Sequence, residues 1–178
     1  MPNRATAPKD ETVQAALEQA RQGFVAACLE AGRNLDDAQV AARQLLAHTR
    51  TNGWNYGNVV YETHSALGRI ALRKGDRATA RQELRAAGRT PGSPQLNSFG
   101  PQFTLARELL EQGQLADRDA VVAFLDDVMQ FWANLDKAPA YRRDGVLKQR
   151  QKIETWKDDI RAGKIPSPTD PMDKNRWR

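Results

Sequence analysis

The chain has 178 residues, a net charge of +5 at pH 7 and a hydrophobic fraction of 40%, which suits one domain with a real core. No run approaches the roughly 20 apolar residues that span a bilayer, so no membrane partner is expected, and the opening MPNRATAPKDET lacks the apolar stretch of a secretory signal. The single cysteine, Cys28, cannot form an internal disulfide or build a zinc site alone, and the expected location is cytoplasmic.

In chain order, residues 1–9 carry no apolar pattern and are expected to be flexible. Asp10 can cap a first helix that runs to Gly32, with Val13, Leu17, Ala20, Phe24, Ala27 and Cys28 along one face. On that face Cys28 reads as a buried, inert thiol. Asp36 or Asp37 can cap a second helix, which carries Val40, Ala41, Leu45 and Leu46 and ends near Gly53. The loop TNGWNYGN follows at residues 51–58 and holds Trp54 and Tyr56. A third helix is predicted over residues 57–74, with Gly75 as its C-cap. Asp76 starts a fourth, which ends at Gly88. Residues 90–101 read TPGSPQLNSFGP. Pro91 and Pro94 push the residues before them to extended backbone, so an extended connector that buries Leu96 and Phe99 is expected. Pro101 suits the first turn of a fifth helix ending at Gly113. A sixth is predicted over residues 119–132 and a seventh over 142–162, before Gly163. The tail over 166–178 contains Pro166, Pro168 and Pro171 and is expected to be flexible. No segment alternates with period two, so the predicted class is all-α, a single domain over residues 10–165.

Charge is unevenly distributed. Arg69, Arg73, Lys74, Arg77, Arg81, Arg85 and Arg89 face only Asp76 and Glu83 within their block. Glu108, Glu111, Asp117, Asp119, Asp126 and Asp127 make the next block acidic, and Arg142, Arg143, Lys148, Arg150 and Lys152 reverse the sign again. Such blocks suit either an interaction surface or a dipolar solvated surface.

The paired helices contain a repeat. Leu67-Gly68 is followed by Ala71, Gly75, Ala80, Leu84, Ala87 and Pro91. This spacing resembles the tetratricopeptide repeat, with His64 standing where the consensus has Trp. The physics agrees with the resemblance, because Gly68 and Ala80 are small where two helices approach closely and Gly75 allows the turn between them. A looser copy runs through Leu105, Ala106, Leu109, Gly113, Ala120, Phe124 and Val128, and an earlier pair of helices has hairpin character only. LGRIAL, KGD, TPGSPQLNSFGP and GKIP also resemble strings in small bacterial tetratricopeptide-like proteins, which implies a fold and no reaction. The resemblance implies a stack of about seven helices closed by the last long helix, with Val146, Leu147, Ile153, Trp156 and Ile160 covering its open end.

The resemblance also implies that the first helix of each pair lines a concave groove. Asn58, Glu62, Ser65, Arg69 and Arg73 recur on one face of the third helix. Arg69 and Arg73, with Arg107 at the equivalent place in the second copy, can hold acidic groups of a peptide. Asn58, Ser65 and Asn97 can bond its main chain. The same residues also read as ordinary solvated groups. His64 reads as a packed histidine with one hydrogen bond or as a general base. His48 and His64 do not make a metal site, and neither G-x-S-x-G nor H-E-x-x-H occurs, so no catalytic, metal or cofactor site is assigned. Trp54 reads as a pocket wall or as a plug. Gln95, Asn97 and Ser98 read as groups that satisfy backbone in the connector, or that project toward the groove.

The leading expectation is a non-catalytic adaptor whose groove takes a protein or peptide segment, with Arg69 and Arg73 suited to an acidic one. The alternative is a small-molecule-binding protein or cryptic enzyme with a pocket around Trp54, His64 and the 93–99 loop. A third is nucleic-acid binding through a ridge of Arg77, Arg81 and Arg85, weakened by the lack of interleaved aromatic residues.

Overall fold

The computed structural model describes residues 7–132, 140–167 and 176–177. All regular structure among them is helical: α1 (Ala7–Ala31), α2 (Leu35–His48), α3 (Tyr56–Arg73), α4 (Arg77–Gly88), α5 (Pro94–Phe99), α6 (Thr104–Glu111), α7 (Leu115–Val128) and α8 (Ala140–Arg161), with a 3-10 turn over Met129–Trp132. Three hairpins, α1/α2, α3/α4 and α6/α7, stack in order. Helix α3 packs on α1, α2 and α6, α4 packs on α7, and α8 lies against α7.

Local signals explain most boundaries. Asp76 accepts from the Thr79 hydroxyl at 2.6 Å and from the Thr79 backbone N–H at 3.0 Å and so caps α4; the hydroxyl bond first and the backbone bond second hold its carboxyl below the usual carboxylate range. Helix α2 starts one residue before the two acids predicted to cap it. Its N-cap is Asn34 in the left-handed region, which Asn tolerates, and Asp36 and Asp37 sit in the first turn, where acids suit the helix dipole. Helix α7 begins at Leu115, ahead of the predicted start, and this places Asp117 in its first turn.

Three expectations are corrected. On α1 the inward stripe is Val25, Cys28 and Leu29, while Leu17 and Phe24 face solvent. Apolar residues lie on more than one side of this helix, and the side that α2 and α3 cover is the one that is buried. The connector after α4 is not extended throughout. Ser93 is extended, as a residue before Pro must be, but its hydroxyl accepts from the Leu96 N–H at 3.1 Å, and Pro94 opens α5. Helical geometry then buries Leu96 and leaves Phe99 64% exposed. The end of the chain is the third. Trp177 is buried against Phe103 and Trp156, with ring centroids 5.0 and 5.7 Å away, and the Arg176 carbonyl accepts from the Phe103 N–H. A solitary aromatic in a proline-rich stretch shows no periodicity, so its burial is set by the aromatic socket it enters. The rest of the segments expected to be flexible, residues 1–6, 168–175 and 178, lies outside the described residues, and residues 7–9 belong to α1.

Two close approaches set the stack. A Cβ on Gly68 would strike the tip of the Leu105 side chain of α6 and press on Ala80 and Glu83 of α4, so a side chain here would displace Leu105; the repeat resemblance expects a small residue at this position for the approach of α3 to α4. A Cβ on Gly57 would overlap the backbone carbonyl of Gly92, which itself has φ 83°. The start of α3 therefore lies directly against the connector, and the Thr90 hydroxyl donates to the Gly57 carbonyl at 2.8 Å.

The charge blocks find each other across α4 and α7. Asp117 is fully buried and receives Arg77 and Arg81, the latter at 2.9 Å. Asp127 receives Arg85 at 2.5 Å and Arg89 at 3.4 Å. On the last helix, buried Lys157 reaches Asp126 of α7 at 2.6 Å.

Gly57→Ala is expected to cost about 3 kcal/mol in denaturant unfolding, because overlap with backbone cannot be relieved by a rotamer change. Gly23→Ala, in open space on α1, is expected to gain about 0.5–1 kcal/mol from helix propensity. Asp117→Ala should cost about 2–3 kcal/mol by stranding two half-shielded guanidinium groups, whereas Asp119→Ala on the exposed side of α7 should stay within about 0.5 kcal/mol of wild type.

Candidate functional site

A cavity of about 460 Å³ opens on the side of α3 that carries the polar stripe. Helix α3 supplies Asn58, Tyr61, Glu62, Ser65 and Arg69; α1 supplies Gln22, Val25, Ala26 and Leu29. Ala42 and Leu45 of α2 and Leu105 of α6 add apolar wall. Helix α5 and the turn after it form the opposite side with Gln95, Leu96, Phe99 and Gln102, and Arg176 completes it.

Helical spacing explains the convergence. Positions 58, 62, 65 and 69 fall on one face of α3, and 22, 25, 26 and 29 on one face of α1. The facing wall is fixed by hydrogen bonds. The Tyr61 hydroxyl donates to the Gln102 carbonyl, and burial drives its pKa well above the usual phenol range. The Arg176 guanidinium donates to the Phe99 carbonyl, at 3.0 Å from Nε.

The structure brings together only part of the predicted site. Asn58, Glu62, Ser65, Arg69 and Gln95 line the cavity. Arg73 lies farther along α3, exposed and outside it. Asn97 and Ser98 are exposed on the part of α5 that does not line the cavity. His64 points to α4, with Nδ1 at 2.7 Å from Glu83 Oε2. Trp54 is 75% exposed and does not line the cavity. Arg107 bonds Glu111 and the Trp177 carbonyl, each at 2.8 Å. Of the pocket expected around Trp54, His64 and the 93–99 loop, this cavity takes in Gln95, Leu96 and Phe99 and neither Trp54 nor His64. The α1 wall, Phe99, Gln102 and Arg176 escaped the sequence reading. The spacing of Gln22, Val25 and Leu29 was the signal available for α1; nothing local marks Arg176.

The cavity's charges differ in their partners. Arg69 reaches Glu108 Oε1 from Nη2 at 2.8 Å and from Nε at 2.9 Å. Glu62 accepts from the amides of Asn58 at 2.9 Å and Gln22 at 3.5 Å. It stays open to solvent, yet desolvation by the surrounding walls raises its pKa above the usual carboxylate range, and the Asn58 hydrogen bond only partly offsets this. Across the molecule, the shallow surface along Arg81, Arg85 and Arg89 is lined by guanidinium groups already held by Asp117 and Asp127.

Comparison with protein-family models, with curated proteins and with solved structures returns no match to this chain. Among the described residues, no cluster of three His, Cys, Asp or Glu side chains is arranged to hold a metal, and no helix is long and apolar enough to cross a membrane.

Glu62 gives a pH signature. An acid with a raised folded-state pKa binds its proton more tightly when folded. The stability this contributes is complete below the ordinary glutamate pKa and is lost as pH rises through the raised value. Glu62→Gln cannot titrate, so its melting temperature relative to wild type should climb as pH increases from about 4 through that window. Thermal melts of both proteins at matched ionic strength read this directly, and a difference that stays flat with pH contradicts it.

Proposed function

We propose that the chain is a non-catalytic binding protein, a short tetratricopeptide-like stack that takes a segment of a partner protein in the cavity beside α3. The cavity carries this reading. Its volume falls within the roughly 300–1,000 Å³ of ligand sites, and aliphatic walls with a few convergent polar groups are the usual make-up of such sites. Phe99 adds an exposed ring at its edge, the kind of aromatic group that anchors interfaces. The packing order supports the tetratricopeptide-like part of the reading. The first helices of successive hairpins, α1, α3 and α6, are neighbours, the second helices α4 and α7 are neighbours, and α8 covers the last hairpin. In this reading Asn58, Ser65 and Gln95 bond the main chain of the segment, and Val25, Leu29 and Leu105 take its apolar side chains.

Two expectations lose weight. An acidic segment would need free cations, but Arg69 holds Glu108, Arg107 holds Glu111, and Arg73 is outside the cavity. Nucleic acid would need the α4 ridge, whose arginines hold the acids of α7. A compact apolar small molecule is the second reading, favoured by the cavity volume alone.

Selection of a displayed random peptide library against the full chain tests the proposal. Ser65→Trp fills the cavity from α3 and serves as the comparison, at unchanged melting temperature. Peptides enriched on wild type should bind this variant at least about tenfold more weakly. Peptides that bind both proteins alike, or no enrichment at all, overturn the reading, and the second outcome leaves the small-molecule reading in its place.

A further inference from the structure

The formal charges that line the cavity are Glu62, Arg69 and Arg176, and they are not equally available. Arg69 is held from two nitrogens by Glu108. Arg176 is only 5% exposed, with its guanidinium donating to the Phe99 carbonyl. Glu62 alone combines access to solvent with a partner set of neutral amides; no ion pair reaches it among the described residues. The charge that an incoming group meets is therefore negative.

Resting on the binding reading above, we infer that the segment bound in the cavity is basic and apolar: a Lys or Arg side chain placed on Glu62, with apolar neighbours on the aliphatic walls. Glu62 shares the cavity with Val25, Leu29 and Leu105, and a cation placed on its carboxylate makes a charge-assisted hydrogen bond that the neutral amides of Asn58 and Gln22 do not. The methylene stem of Lys or Arg covers apolar surface while its head reaches the carboxylate. An anion would meet Glu62 directly and find both lining arginines engaged. This local sign opposes the net charge of +5. Over a screening length of about 8–10 Å near physiological salt, the local group decides. Glu62 belongs to the polar stripe legible in the sequence, but its neighbours in that stripe, Arg69 and Arg73, pointed to the opposite ligand sign.

The test uses peptides from the library selection, titrated by fluorescence anisotropy against the full chain. Each enriched peptide is remade with its basic residue replaced by norleucine or by Glu. On wild type, norleucine should weaken binding about tenfold and Glu about a hundredfold. On Glu62→Gln the parent and norleucine peptides should bind alike, and on Glu62→Lys the Glu peptide should outbind the parent. The Glu62→Gln arm decides if the Lys variant does not fold. Enriched peptides that lack a basic residue, or whose affinity ignores its replacement, overturn the inference while sensitivity to Ser65→Trp keeps the cavity reading. Insensitivity to Ser65→Trp, or no enriched peptide, overturns both.

Discussion

The backbone of Gly57 lies against the carbonyl of Gly92, with no room between them for even one side-chain carbon. That contact fixes where the chain goes after α4. Thr90 is tied to Gly57, and Gln130 reaches back to the carbonyl at the end of α4. Gly92 turns the chain with a positive φ that Gly adopts at least cost, and Ser93 then starts α5. Tyr61 holds Gln102, and Phe103 docks the end of the chain. A stretch that would otherwise be a solvated connector becomes a wall, and the space between that wall, α1 and α3 is the cavity. The conformational freedom of these residues is surrendered on folding, so under the proposed binding reading the cavity is in place before a segment arrives and the segment alone has to be ordered.

Charge organises the opposite side of the molecule. The basic block of α4 and the acidic block of α7 would each be an unfavourable run of like charge on an isolated helix. Across the helix interface they neutralise each other, and Asp117 can be buried because two guanidinium groups meet it. This pairing neutralises the arginine ridge on which the nucleic-acid reading of the linear sequence rested. It leaves Glu62, whose neighbours are neutral amides, as the charge available in the cavity. Under the proposed binding reading, the charges left without an ion pair after folding set the sign of the ligand, and a count of residues along the chain cannot supply that.

Local rules made much of the hairpin core readable. The face shared by Asn58, Glu62, Ser65 and Arg69 follows from helical periodicity, and the small residues Gly68 and Ala80 stand where α3 and α4 come close. Other features depend on tertiary choices. Helix α1 offers apolar residues on several sides, and only the packing of α2 and α3 selects Val25 and Leu29 over Phe24. The same Pro94 signals extended backbone to the residue before it and a helix start at its own position, so the connector allowed two readings until Ser93 capped α5. Trp177 had no periodic companions, and its burial became visible only with Phe103 and Trp156 in place around it.

The most direct measurement is a two-dimensional amide NMR map of the full chain as its tightest selected peptide is titrated in. Shift changes are expected to concentrate at Asn58, Glu62, Ser65 and Arg69 and at Leu96 and Phe99 across the cavity, with Arg81, Arg85 and Ala120 of the α4/α7 surface unchanged. Changes centred on α4 and α7, with α5 and the stripe of α3 unmoved, would contradict the binding reading.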